Sequence, residues 1–183
     1  MLFRSFAYPH RPPLLEGFSW RVGRGELWSV VGPSGCGKTT LLMLLTGLLR
    51  PTSGSVAVDG RLLRAPLPEN GVVFQHCGLL PWATLRGNVE LGLRIRRLQH
   101  WAHARGDRPD RREIRARAEH WLRRLGIADA ADRFPSQVSG GQLQRAAIAR
   151  TLATEARRLF LDEPFSALDA RTREALREDT LAL

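Results

Sequence analysis

An α/β core interrupted by a helical lobe is the fold the sequence predicts, and three observations predict it. A short apolar run, Leu27-Trp-Ser-Val-Val31, leads into Gly32-Pro-Ser-Gly-Cys-Gly-Lys-Thr-Thr40, and an apolar helical pattern follows at 41–49. Strand, glycine-rich loop and helix in that order are the context of a phosphate-binding P-loop. Strand-like segments recur at 55–59, 72–74 and 159–161, whereas 84–125 reads as helical and rich in arginine. Strand-rich parts on either side of a helical insertion suggest an α/β core that carries a helical lobe.

Each element has a local reason. Residues 14–22 and 27–31 read as two strands split by the turn Gly23-Arg-Gly-Glu26, the second suited to burial on both faces. Pro51-Thr-Ser-Gly54 stops the helix that follows the loop. The helical stretch 84–125 is broken near Arg105-Gly-Asp-Arg-Pro109, a second helix is predicted over 142–152, and a last one over 170–183. No internal repeat and no low-complexity segment is present.

Composition bounds the function classes. With 183 residues, 43% hydrophobic and 25% charged, the chain can bury a core as one domain and is not disordered as a whole. The longest apolar stretch, 41–49, is too short to span a bilayer. The N-terminus lacks the pattern of a secretory signal, and two cysteines make no disulfide framework, so a soluble protein of a reducing compartment is expected. Net charge is +10, and 27 of 28 basic residues are arginine. Between residues 94 and 124 lie 11 arginines against four acids, which supplies +7 of that charge. Such a balance permits anionic partners, but a solvated helical face accounts for it as well. The single lysine, Lys38, is more informative because it sits in the glycine-rich loop.

The chemistry of that loop follows from its residue types. Glycines at 32, 35 and 37 allow a tight turn whose backbone N–H groups can face phosphate oxygens, and Pro33, Ser34 and Cys36 complete it. The helix behind it offers unsatisfied N–H groups and a positive dipole end to the same anion. Lys38 supplies a point charge to the phosphates, the Thr39 hydroxyl suits Mg²⁺, and Thr40 adds a further hydroxyl. Cys36 reads as a small space-filler. Downstream, Leu159-Phe-Leu-Asp162-Glu163 is an apolar strand ending in two carboxylates. Phosphoryl transfer to water needs one group on the metal and one on the water, roles that suit Asp162 and Glu163 respectively.

Between and beside these sites lie Gln75, the segment Val138-Ser-Gly-Gly-Gln142, and Ser166-Ala-Leu-Asp169. Together, in this order, they resemble the ATP-binding subunit of ABC transporters, over essentially the whole chain. The resemblance implies a P-loop NTPase α/β core of ABC type, with a small antiparallel β part, at 1–82 and 155–183, and an inserted helical signature subdomain at 83–154, forming a single domain. It implies that Ser139, Gly140, Gly141 and Gln142 contact the γ-phosphate of ATP held by a second copy, so that two nucleotide-binding domains close on two ATPs. Gln75 then senses Mg²⁺ and water, Ser166 to Asp169 lie at the dimer seam, and Tyr8, 24 residues before Gly32, stacks on adenine. Implied partners are transmembrane permease subunits, docked on the helical lobe, and an external solute-binding protein. The expected location is the cytoplasmic face of the membrane, and nucleic acid is not an expected partner. Leu79-Leu-Pro-Trp82 just after Gln75 is similar to the importer group for nitrate, sulfonates and taurine, although Trp82 could equally pack the loop.

Some positions depart from the family pattern. Arg158 stands where a fourth apolar residue usually precedes Asp162, and Leu143 replaces a polar residue after the signature. The family continues to a switch histidine, whereas this chain ends 14 residues after Asp169 and all five histidines lie before the signature. The expectation is therefore a core truncated at its C-terminus, either a fragment or a binding-only, hydrolysis-deficient form. A chromosome-type ATPase would need a long coiled coil between Gln75 and Ser139. Only 63 residues intervene, without sustained heptads.

Overall fold

The structure, a computed structural model, describes residues 2–103 and 109–163. It divides into two compact units, Met1–Asn70 and Gly71–Leu183. The predicted final helix at 170–183 and the Ser166 to Asp169 segment lie outside the described residues.

In the first unit β1 (Leu2–Ser5) pairs antiparallel with β2 (Ser53–Ser55), Leu2 opposite Ser55 and Phe3 opposite Gly54. A second hairpin joins β3 (Ala57–Val58) to β4 (Arg61–Leu62). The strand expected over 55–59 is thus split at Val56, a buried residue whose carbonyl accepts from Leu63 N–H while its two flanks pair in different sheets. The helix α1 (Lys38–Thr46) buries Leu41, Leu42, Leu44 and Leu45. It ends at Gly47, ahead of the predicted proline stop. Gly47 adopts a left-handed φ of 80°, its N–H reaches Leu44 O, and Leu48 N–H reaches Met43 O, the Schellman pattern. A Cβ at 47 would also lie 2.9 Å from the Ala65 carbonyl.

Two strands predicted before the loop are corrected. Residues 14–22 make isolated bridges, Phe6 with Leu15 among them, and no strand, because Gly17 takes a left-handed φ of 61° and interrupts the extended run. Residues 27–31 form no strand either, and Leu27 and Val31 are 78% and 90% exposed. A strand buried on both faces needs a ladder on its flanks, and no strand among the described residues pairs with this one. Trp28 instead donates its indole N–H to the Glu26 carboxylate and meets Trp20 edge-on.

Among the described residues, the second unit is a lobe of three α-helices with one small sheet. β5 (Asn70–Val73) and β6 (Arg158–Leu161) pair in that sheet. Arg158 is accommodated as the first residue of β6. The helices are α2 (Leu85–His103), α3 (Arg111–Arg124) and α4 (Gly140–Ala153), with single 3-10 turns at Ala128–Ala130 and Pro135–Gln137. Asp110 caps α3 by accepting from Glu113 N–H, and Ile114, Ala118 and Leu122 form its buried stripe at helical spacing. α4 is buried over much of its length, with Ala146, Ala147, Ile148, Ala149, Leu152 and Ala153 in the core, and it packs against both other helices.

The apolar core, not the ion pairs, stabilises the lobe. Leu85, Val89, Leu93, Ile114, Leu122, Ile127 and Ile148 are all buried, each contributing about 1.5–3 kcal/mol. Exposed pairs such as Arg117 with Glu113 and Glu155 contribute about 1 kcal/mol or less. Arg86 bridges Glu119 and Asp132, and its hydrogen bond holds the Asp132 carboxyl below the usual range.

One polar residue matters as much as the core. Asn88 is fully buried; its Oδ1 accepts from Leu80 N–H at 2.7 Å. Its Nδ2 donates to the carbonyls of Leu80, Ala83 and Thr84. It thereby folds the Leu79 to Trp82 segment onto the start of α2, and Trp82 is left 74% exposed, not packed in the loop. Asn88→Ala strands several buried backbone groups and is expected to cost about 2–4 kcal/mol. Urea unfolding checks this; a loss below about 0.5 kcal/mol, the level of an ordinary surface change, contradicts it.

Candidate functional site

The first unit holds the phosphate loop. Gly35 and Gly37 take φ of 81° and 99°, values that glycine adopts without a Cβ penalty, and Gly37 is the residue that opens α1. A Cβ at 37 would sit 3.0 Å from the Leu14 side chain, and one at 32 would sit 2.7 Å from Cys36 Sγ. The Cys36 thiol therefore fills the space beside Gly32, although the residue as a whole is exposed. Pro33 O accepts from Cys36 N–H at 3.3 Å, closing the turn that exposes Ser34. Lys38 Nζ donates to the carbonyls of Gly32 and Pro33 at 2.9 and 3.0 Å, so the ammonium lies over the loop that carries it. Thr39 is exposed at the start of α1 and Thr40 is buried. Tyr8 and Thr40 share a hydroxyl–hydroxyl hydrogen bond of 3.0 Å, and Phe6 meets the Tyr8 ring edge-on. The sole tyrosine is thus fastened to the first turn behind the loop.

The second unit brings together the remaining described positions. Asp162 is buried and its N–H donates to Val73 O, the last bond of the small sheet. Glu163 follows in an exposed turn with a left-handed φ of 50°. Gln75 Nε2 donates toward Glu163 Oε2 at 3.4 Å, which joins two residues 88 apart in sequence. Ser139 caps α4: its Oγ accepts from Gln142 N–H at 3.3 Å, while Gln142 Oε1 accepts from Ser139 N–H at 3.0 Å. Gly140 and Gly141 form the first turn, and a Cβ at 140 would meet nothing within 4 Å, which leaves that backbone open to approach. The helix starts two residues before the predicted 142, and the Ser-x-x-Gln spacing of a capping box is the signal for it.

Sequence reasoning missed the polar side chains along α4. Gln144 donates to the Glu163 carbonyl at 3.2 Å. Arg150 donates to the carbonyls of Gly78 and Cys77 at 2.7 and 2.8 Å, just beyond Gln75, and Thr151 donates to Val72 O. Polar residues on the buried stripe of an alanine-rich helix are the available signal. Burial pushes the Arg150 guanidinium below its ordinary value and the Cys77 thiol above its own. Leu143 packs against the lobe core. No three His, Cys, Asp or Glu side chains among the described residues gather to hold a metal. Each within its own unit, Thr39 offers a hydroxyl and Asp162 a carboxylate, both kinds of oxygen ligand that Mg²⁺ takes.

Comparison with known proteins gives a consistent result. A family model described as ABC transporter matches residues 15–166. The chain is similar to the taurine import ATP-binding protein TauB of Chromobacterium violaceum, 48% identical over 175 residues, covering 95% of this chain and 63% of that protein. The TauB protein of Pseudomonas aeruginosa is 46% identical over 166 residues, covering 91% and 59%. The chain thus spans about three-fifths of the length of these curated relatives. Among solved structures, the dimeric post-hydrolysis state of the ATP-binding cassette MJ0796 bound to ADP and Pi superposes with a TM-score of 0.82 at 31% identity, covering 97% of this chain and 78% of that one.

Proposed function

The chain belongs to the ABC transporter family of ATP-binding proteins, and on that premise we propose that it is the ATP-hydrolysing subunit of an importer, driving a separate membrane permease. The observation that carries this reading is the loop at 32–40, with left-handed glycines at 35 and 37 opening a helix that begins on Lys38. Gly32, Pro33, Ser34, Gly35, Cys36 and Gly37 wrap the phosphates, and Lys38 and Thr40 add side-chain contacts. Tyr8 carries the adenine.

Thr39, Gln75 and Asp162 would hold Mg²⁺, which when bound offsets phosphate charge. Glu163 takes the proton of the attacking water, and Gln75 orients its carboxylate. The open backbone at Gly140, with the Ser139 and Gln142 caps behind it, supports contact of the Ser139 to Gln142 turn with nucleotide on a second copy. The partners that follow are a second nucleotide-binding domain, permease subunits and an external solute-binding protein. The chain then works at the cytoplasmic face of the membrane; no helix among the described residues is long and apolar enough to cross it. The names of the TauB relatives support a taurine- or sulfonate-type solute.

The test is ATP turnover with Mg²⁺ across a range of protein concentrations. Turnover per chain that rises with concentration is expected, because each site needs two chains. ATP bound without any turnover contradicts the hydrolytic reading.

A further inference from the structure

Glu163 holds a backbone conformation that its own chemistry disfavours. A φ of 50° places a Cβ-bearing residue in the left-handed region, and the next residue in the sequence, proline, pushes position 163 toward extended values. Such a conformation persists only where neighbours hold it. On the strand side, Asp162 N–H is bonded to Val73 O. The next carbonyl, that of Glu163, accepts from Gln144 Nε2 at 3.2 Å, across 19 residues. Gln144 is 2% exposed and lies in the second turn of α4, just before the buried Ala146 and Ala147, so its amide has little freedom to move away. The turn it holds leaves the Glu163 carboxylate exposed and 3.4 Å from Gln75.

We propose that Gln144 is a positioning residue for hydrolysis: by donating to the Glu163 carbonyl it holds the left-handed turn that aims the Glu163 carboxylate. The inference rests on the ATPase reading above, because it assigns the carboxylate a task. It adds that α4, whose first turn carries Ser139 to Gln142, also sets the geometry of the base. A rotation or shift of α4 would then alter the carboxylate's aim through one side chain, without any change at the phosphate loop.

The test uses the full chain and two substitutions. Gln144→Met keeps length and volume but has no N–H to donate. It is expected to lower kcat by about tenfold to a hundredfold, the scale of a misplaced catalytic group. The Kd for ATP, measured by calorimetry, should stay within about twofold, a factor well below the tenfold of a lost contact. Gln144→Glu presents a carboxylate to a carbonyl at about pH 8 and should lose rate similarly. Burial raises a carboxyl pKa, so toward about pH 6 the neutral acid forms, can donate again, and the rate relative to the unsubstituted chain should recover.

A folded Gln144→Met chain with unaltered kcat overturns the inference, as does a parallel loss of kcat and ATP affinity. Thermal melting shows whether it folds. Should Gln144→Met not fold, a flat relative pH profile for Gln144→Glu overturns the inference by itself. Absence of turnover in the unsubstituted chain removes the ATPase reading and this inference together. Turnover there with unaffected variants removes this inference alone.

Discussion

Lys38→Ala abolishes high-affinity ATP binding while the fold stays intact. Lys38 is the only lysine in the chain, and its ammonium is placed over the loop by the carbonyls of Gly32 and Pro33. Arginine supplies every other cation, and none lies within 32–40. Alanine is the best helix former, so α1 keeps its opening turn, and the carbonyls of Gly32 and Pro33 lose only the ammonium. Removing charge-assisted contacts to phosphate, about 1.5–3 kcal/mol each, should weaken binding by about a hundredfold or more. Calorimetric titration with ATP measures this, and thermal melting of the same variant reports on folding. Binding within a few-fold of the unsubstituted chain would remove the P-loop assignment.

Glu163→Gln is expected to retain ATP and to lose turnover. The amide has the shape of the carboxylate but cannot take a proton from water, and general-base catalysis of this kind contributes about 10²–10⁴-fold. Both forms meet the same backbone at 163 and the same Gln144 donor, so the loss is chemical and not conformational. With hydrolysis blocked, the ATP-bound dimer should accumulate. Sedimentation with ATP and Mg²⁺ then reads a species of twice the chain mass that dissociates when nucleotide is removed. A variant that stays monomeric argues against the two-chain site. One that turns over at the full rate argues against Glu163 as the base.

The parts of the site that were legible in sequence are those built from neighbours in the chain. The loop at 32–40 and the Asp162–Glu163 pair are short segments whose chemistry is local. So is the helix break before α3, which the segment ending in Pro109 announces. The lobe was legible as a helical, arginine-rich stretch over 84–125, and the structure adds the stripe of Ile114, Ala118 and Leu122 that α3 buries.

What was not legible depends on distant partners. The run 27–31 has strand composition, but a strand exists only where another pairs with it, and composition does not carry that information. Gln144, Arg150 and Thr151 look like unremarkable helix residues until the carbonyls they reach, 19 to 79 positions away, are brought beside them. The division of 55–59 between two hairpins likewise follows from pairing, not from the residues themselves.

The reciprocal caps between Ser139 and Gln142 also bear on how fast two chains can meet. Ordering a residue costs about 1–2 kcal/mol of conformational entropy. The four residues from 139 to 142 are already ordered by their own side chains. On the two-chain reading proposed above, a nucleotide arriving on another chain meets a turn that is already ordered, and little of its interaction energy is spent on freezing a loop. Association through this turn should then be governed by encounter and orientation, and its rate should depend only weakly on temperature beyond the viscosity of the solvent.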